Sequence, residues 1–329
     1  MGIVRFAETV KVLSGLRFAE RVSWPCSLLT EARFPGEIAA FSLGSIQGAM
    51  RTIVAVHGIT AGGNAANTGY GKVESRAIQA HLAGLGSFNV PVSEALWADE
   101  AQRFLSATFL ADAQAMVLNA IGGKVLGAVG KVLSWFGVPT LAQVADMVAD
   151  VFIYDGITRK DRIKKVVLAQ ILAARDAAGR GVILHGNSLG SVIGLDIISD
   201  LIESGAIGEK VPRKDWPIRG FLSTGSPLAM DLPFVSGYVD RANRLSRLLP
   251  KALSSFPWLN LYDLNDPVAS GNLLGMASDP ALLARLRGYR KLRITDLSPD
   301  SGFHIRAHTE YWGHPTVAQH LVALARLKD

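Results

Sequence analysis

Gly181-Val182-Ile183-Leu184-His185-Gly186-Asn187-Ser188-Leu189-Gly190 joins a short apolar run to a glycine-flanked serine. The run has the length and β-branched content of a buried strand. Apolar residues then recur at Leu189, Ile193, Ile197 and Leu201, four apart, which predicts a helix beginning inside the same segment. The joint, Gly186-Asn187-Ser188-Leu189-Gly190, has the form G-x-S-x-G. A turn that tight leaves room only for glycine at positions 186 and 190. It holds the serine in a strained conformation with its hydroxyl projecting above the sheet. Five residues alone are a weak signal, and an ordinary glycine-rich turn is the plain alternative. The strand before it and the helix after it supply the context that makes Ser188 a candidate nucleophile.

On either side of this joint, short apolar runs alternate with longer segments of helical period. Thr52–Val56 reads as a buried strand stopped by His57-Gly58, and Val90–Trp97 as a second strand despite Pro91. Ile157–Ala178 reads as a helix with Ile163, Val166, Val167, Ile171 and Ala174 on one face. Further strands are expected at Ile218–Ser223, Trp258–Tyr262 and Leu292–Thr295, and a last helix at Thr316–Arg326. Such alternation predicts an α/β protein with a mostly parallel central sheet flanked by helices. No repeat or low-complexity linker breaks the chain, so residues 1–329 are expected to form a single domain.

Composition agrees with a well-filled core: 49% of the 329 residues are hydrophobic and 19% charged. The formal charge of +6 would favour anionic surfaces, but the basic residues are scattered. No nucleic-acid-binding signature is present, so no nucleic-acid partner is expected. Cys26 is the sole cysteine, which excludes an intrachain disulfide framework and a thiolate metal cluster. Arg5, Glu8, Lys11 and Arg17 interrupt the first apolar stretch, unlike a secretory signal, and Phe6 breaks the myristoylation pattern after Gly2. A cytoplasmic protein is the expectation, with possible membrane association.

A serine hydroxyl becomes a useful nucleophile when a base removes its proton and a carboxylate orients that base. In a strand–turn–helix setting of this kind the acid and then the histidine follow the serine along the chain. Asp266 lies just past the Trp258–Tyr262 strand, and Pro267 after it disfavours helical geometry there, which suits a carboxylate presented at a strand end. Asp263 is its rival. Among the downstream histidines, His308 lies in a loop just before the last helix and is the first candidate base, followed by His314. His320 falls inside the helix, and His304 and His308 lack the H-E-x-x-H pattern of a zinc site. No metal and no cofactor is expected.

Negative charge on a tetrahedral intermediate calls for two oriented N–H donors, an oxyanion hole. The first candidate is the N–H of Leu189, directly after the serine. The second is the N–H of Ile59 in His57-Gly58-Ile59-Thr60, where Gly58 permits close approach. His57 itself reads as a packing residue.

At these residues the chain resembles the lipase-like α/β-hydrolases, in particular a broad group of bacterial serine hydrolases. The matching pieces are Val56–Ile59, Asp150–Tyr154, His185–Gly190, Thr224–Leu228, Asn260–Asp263 with Asp266–Val268, and His308–Trp312. The resemblance implies an α/β-hydrolase fold, a Ser188–Asp266–His308 triad and hydrolysis of a carboxylic ester, with a small-molecule or lipid ester as substrate. It leaves open a thioesterase or amidase on the same scaffold, and a noncatalytic membrane-binding protein that retains the fold. The chain departs from the family in a glycine-rich apolar insertion at residues 98–149, expected to form a cap. Lids in this fold more often follow the sixth strand, here residues 227–257.

Within Met116–Leu141 the only charges are Lys124 and Lys131. Six residues, Gly122, Gly123, Gly127, Gly130, Gly137 and Pro139, weaken the stretch as a membrane-crossing helix. So apolar a surface has to cover a pocket, meet a partner or enter a bilayer interface. Peripheral membrane contact through residues 111–141 is therefore expected. Replacing Leu126 and Val129 by Ser should weaken binding to anionic vesicles while sparing hydrolysis of a short soluble ester. Unfolding of that variant, or vesicles without effect on binding or rate, would make the segment part of the core.

Overall fold

The computed structural model describes residues 50–58, 68–83, 89–102, 154, 157–226, 256–263, 266, 289–293, 308 and 310–328. The chain divides into two compact units, Met1–Gln47 and Gly48–Asp329, and every described residue lies in the second. The cap segment from residue 103 to 149, all but the last two residues of the alternative lid at 227–257, Ile59 and His304 lie outside the described residues.

Six strands are described, β1 (Ile53–Val56), β2 (Val92–Ala95), β3 (Val182–Asn187), β4 (Ile218–Thr224), β5 (Trp258–Tyr262) and β6 (Tyr289–Arg293). They form one sheet in the order β2-β1-β3-β4-β5-β6, and all five pairings are parallel. The helices are α1 (Tyr70–Leu82), α2 (Ala98–Gln102), α3 (Ile157–Ala178), α4 (Leu189–Glu203) and α5 (Pro315–Ala325). The protein is thus of the α/β class, as the alternating pattern predicts. Among the described residues, no helix is long and apolar enough to cross a membrane.

Strands buried on both faces need apolar side chains in both directions, and successive residues alternate between two cores. Val54, Val56, Val182, Leu184, Phe221 and Trp258 pack with α3 and α4, whose contributions include Ile163, Val167, Ile171, Val192 and Ile193. Ile53, Ile183, Leu222, Leu259 and Leu261 pack on the other face with Ile78 and Leu82 of α1 and with Val317, Leu321 and Val322 of α5. In α3 the predicted face is buried at Ile163, Val167 and Ile171 and half-buried at Val166 and Ala174. α4 is buried nearly all round rather than along one stripe, because it fills the groove over β1, β3 and β4.

One irregularity adjusts the register. Val182 pairs with Ile218, but Ile183 pairs with Gly220, so Arg219 is an extra residue on β4. The bulge lets Ile218 and Phe221, three apart, face the same core. The Arg219 guanidinium lies 5.4 Å from the Trp216 ring centroid and donates to the Lys328 carbonyl at 2.8 Å.

Several element limits differ from expectation, and β2 covers only Val92–Ala95 of the predicted Val90–Trp97. β3 continues through Gly186 and Asn187, two residues beyond His185. β6 begins at Tyr289, ahead of the predicted Leu292. α1 has no sequence counterpart: its buried positions are Gly71, Glu74, Ile78 and Leu82, so half of its inward stripe is not hydrophobic.

Phe221 is fully buried at the centre of the sheet. Phe221→Ala should lower stability by about 3–5 kcal/mol, read as a lower urea midpoint at unchanged slope. A loss below about 1 kcal/mol would mean that the core collapses onto the space or that the residue is not central.

Candidate active site

Strand order reverses at β1. The chain goes from β1 to β2 on one side and then to β3 on the other. Open parallel sheets offer a crevice at such a switch, outside the carboxyl ends of the two diverging strands. His57-Gly58 follows β1 and Ser188 follows β3, so the two segments meet there. A Cβ on Gly58 would fall 2.6 Å from the Ser188 Cβ and 3.0 Å from its Oγ. A Cβ on Gly186 would lie 2.6 Å from the Gly190 carbonyl oxygen, and one on Gly190 would collide with the Val56 carbonyl. The space restriction read from the G-x-S-x-G segment is therefore imposed by backbone at Gly186 and Gly190, and the serine side chain itself fills the space beside Gly58.

Ser188 has φ 53° and ψ −127°, and among the described residues no other non-glycine has a positive φ. Such a conformation costs about 1–3 kcal/mol and needs support from its surroundings. The support is visible on both sides of the residue. Its N–H donates to the Thr224 carbonyl at 2.9 Å, and its carbonyl accepts from the Ser191 N–H at 2.9 Å. The Ser191 hydroxyl donates to the same carbonyl at 2.6 Å. That hydroxyl has one proton, so the 2.7 Å contact between Ser191 and Ser226 is donated by Ser226.

Three of the predicted residues come together around this turn. The Ser188 Oγ lies 2.8 Å from His308 Nε2. His308 Nδ1 lies 3.1 and 3.0 Å from the two carboxylate oxygens of Asp266. Serine, imidazole and carboxylate are all buried. With Nδ1–H donating to the carboxylate, Nε2 presents a lone pair toward the serine hydroxyl. The set can pass a proton from oxygen to nitrogen and stabilise the imidazolium that results.

The rival residues have other duties. Asp263 shapes the loop: its carbonyl accepts from the Asp266 N–H at 3.2 Å, and its N–H donates to the Tyr311 hydroxyl at 3.0 Å. His314 caps α5, its Nδ1 accepting from the Thr316 N–H at 3.2 Å. His57 stacks on Trp97 with ring centroids 5.1 Å apart and 6° between planes, and meets Tyr70 edge-on. The Trp97 indole N–H donates to the His57 carbonyl at 3.1 Å, fixing the turn after β1. Leu189 is the first residue of α4, where an N–H has no intrahelical carbonyl to reach, so it can serve an oxyanion.

Tyr311 is a member of the cluster that sequence reasoning does not assign. Its hydroxyl donates to Asp266 Oδ2 at 2.7 Å, the same oxygen that His308 Nδ1 approaches at 3.0 Å. The spacing of His308 and Tyr311, three apart before a helix, is the signal: on a helical turn such residues share a side. Gly225 makes the room. It has φ 56°, and a Cβ there would lie 2.9 Å from the Tyr311 ring and 3.1 Å from His308 Nδ1.

Burial, and then the neighbouring Asp266 carboxylate, push the Tyr311 hydroxyl well above the ordinary tyrosine range. Burial and the charges of Glu94 and Glu74 raise Tyr70 similarly. In the unfolded chain these groups ionise near pH ~10. Above that pH the unfolded state sheds protons that the folded state keeps. The stability contribution is therefore complete below about pH 10 and declines as pH rises further. Tyr311→Phe should flatten the alkaline decline by up to about 1.4 kcal/mol per pH unit, measured by urea unfolding between about pH 9 and 11.5. Equal slopes in the two proteins would show that Tyr311 ionises freely in the fold.

No protein-family model and no curated protein matches this chain, so the geometry of the described residues carries the functional reading.

Proposed function

We propose that the protein is a serine hydrolase of the α/β-hydrolase fold that cleaves a carboxylic ester. The observation that carries this reading is the continuous hydrogen-bonded line from Ser188 Oγ to His308 Nε2 and from His308 Nδ1 to Asp266, at 2.8 and 3.0 Å. The strained serine between a parallel strand and a helix, at the sheet's switch point, supports it further.

In this mechanism Ser188 Oγ forms a bond to the ester carbonyl carbon as His308 Nε2 takes its proton. Asp266 holds the imidazole in the required tautomer and balances its charge. The N–H of Leu189 donates to the oxyanion, with the Ile59 N–H as the second donor. Collapse of the intermediate breaks the bond to the leaving alcohol, which receives the proton from His308. Water then attacks the acyl-enzyme, gives a proton to the same nitrogen and releases the acid. Ser188 Oγ recovers its proton in that last step. Every step uses side chains and backbone of the chain itself.

Ser188→Ala should abolish hydrolysis of p-nitrophenyl esters, by about 10⁶ if the three residues act as a unit. His308→Ala should be nearly as damaging, and Asp266→Asn should cost about 10⁴ because it disturbs tautomer and orientation. His314→Ala should be mild. A fluorophosphonate should label wild type and spare Ser188→Ala. Retention of more than about a tenth of wild-type activity by Ser188→Ala would remove the assignment. An ester series from C2 to C16, run beside thioesters and amides, identifies the bond and acyl length.

A further inference from the structure

α1 and β3 bring together two titratable side chains that the proposed mechanism does not use. Glu74 and His185 are both fully buried, and Glu74 Oε1 lies 3.2 Å from His185 Nδ1. Neither carboxylate oxygen has an aligned hydrogen-bond donor among the described residues. A buried carboxylate so poorly satisfied is expensive, and an apolar side chain of similar size would fill the place at no such cost. Glu74 also occupies an inward position of α1, between Gly71 and Ile78, where packing alone would call for a hydrophobic residue.

The far side of the imidazole leads to the serine. His185 Nε2 is 3.0 Å from the Thr224 hydroxyl, which donates to Asn187 Oδ1 at 3.0 Å. With its proton committed to Asn187, the hydroxyl accepts from Nε2–H. Nδ1 then faces the carboxylate, and that contact attracts when a proton lies between the two atoms. Trp312 meets the ring in a T-shaped arrangement, with centroids 4.7 Å apart and 61° between planes. Thr224 is also the residue whose carbonyl accepts the Ser188 N–H, and Asn187 directly precedes Ser188. Glu74, His185, Thr224 and Asn187 thus form one chain of contacts that ends on the residue before the strained serine and on the residue whose carbonyl accepts its N–H.

We propose that Glu74 and His185 are positioning residues, a buried carboxylate–imidazole pair that fixes Thr224 and Asn187 and through them sets the backbone of Ser188. The proposal rests on the reading of Ser188 as nucleophile. It assigns the pair no contact with substrate. Misplacing a reacting atom slows the chemical step more than it weakens binding, so kcat should fall while KM holds.

The test uses the full chain with p-nitrophenyl acetate, kcat being expressed per site titrated with a fluorophosphonate so that misfolded molecules are not counted. Thr224→Val keeps the shape and removes the hydroxyl. It should lower kcat about 10-fold with KM changed less than about 2-fold. His185→Leu should do at least as much, and His185→Gln, whose amide can donate from near the Nε2 position, should restore most of the loss. Unchanged kcat per site in Thr224→Val overturns the proposal. So does a His185→Gln variant as slow as His185→Leu, because packing alone would then explain the residue. Should His185→Leu fail to fold, Thr224→Val decides. If wild type takes no label, or Ser188→Ala still does, the nucleophile reading fails and this proposal falls with it. Labelled wild type with indifferent variants sinks this proposal alone.

Discussion

Ser188 sits at φ 53° and ψ −127°, in a region of backbone space that costs an ordinary residue about 1–3 kcal/mol and relaxes unless neighbours prevent it. Those neighbours arrive from separate parts of the chain. The carbonyl of Thr224 at the end of β4 takes its N–H, and Ser191 in the first turn of α4 donates twice to its carbonyl. Gly58, past the end of β1, presses against its side chain. None of these contacts is local to the strand that carries the serine, apart from the first turn of α4. The strained turn therefore depends on β1, β3 and β4 lying side by side in parallel register. Sheet order and serine geometry are one constraint seen at two scales.

The same constraint explains why the strands change character along their length. β3 begins Val182-Ile183-Leu184 and ends His185-Gly186-Asn187, and β4 passes from Phe221-Leu222 to Ser223-Thr224. In β5, Trp258 and Leu259 precede Asn260. Near the amino ends, alternate side chains feed the two apolar cores. Toward the carboxyl ends, buried polar groups accumulate and satisfy one another. Ser223 donates to Asn260 Oδ1 at 2.8 Å and accepts from the Trp258 indole N–H at 3.0 Å. Paired in this way, buried polar groups escape most of the penalty they would suffer alone. The gradient puts most of the apolar packing at one end of the sheet and the buried polar cluster around Ser188 at the other.

That gradient also marks how far the sequence is legible. α3 is readable to the residue because its inward positions are Ile and Val at regular spacing, and the limits Ile157–Ala178 match. The end of β3 is not, because Gly186 and Asn187 look like turn residues although they remain paired with β4. α1 hides for a related reason. Glu74 faces His185 and Gly71 lies against the Glu94 side chain, so an apolar stripe is absent where polar contacts replace packing. Ser188, His308 and Asp266 could be named from motif, chain order and loop position. Their meeting, at 2.8 and 3.0 Å, could not. The spacing of His308 and Tyr311 signals a shared side, but the bond from Tyr311 to Asp266 emerges only in the fold, where Gly225 admits the ring.

The two carboxylate–histidine pairs near the serine are built on opposite principles. Asp266 receives both His308 Nδ1 and the Tyr311 hydroxyl, the shortest contact of each falling on Oδ2, so its charge is met by donors fixed by separate residues. Glu74 leans on His185. Deleting His308 would leave Asp266 held by Tyr311, whereas deleting His185 would strand a fully buried carboxylate. An imidazole that must cycle through protonation during catalysis needs an acid whose solvation does not depend on it. An imidazole that holds a backbone in place needs the reverse, a partner that loses its support if the ring moves. On the proposed reading the Glu74–His185 pair is such a mutual tie, acting through Thr224 and Asn187 behind the strained serine.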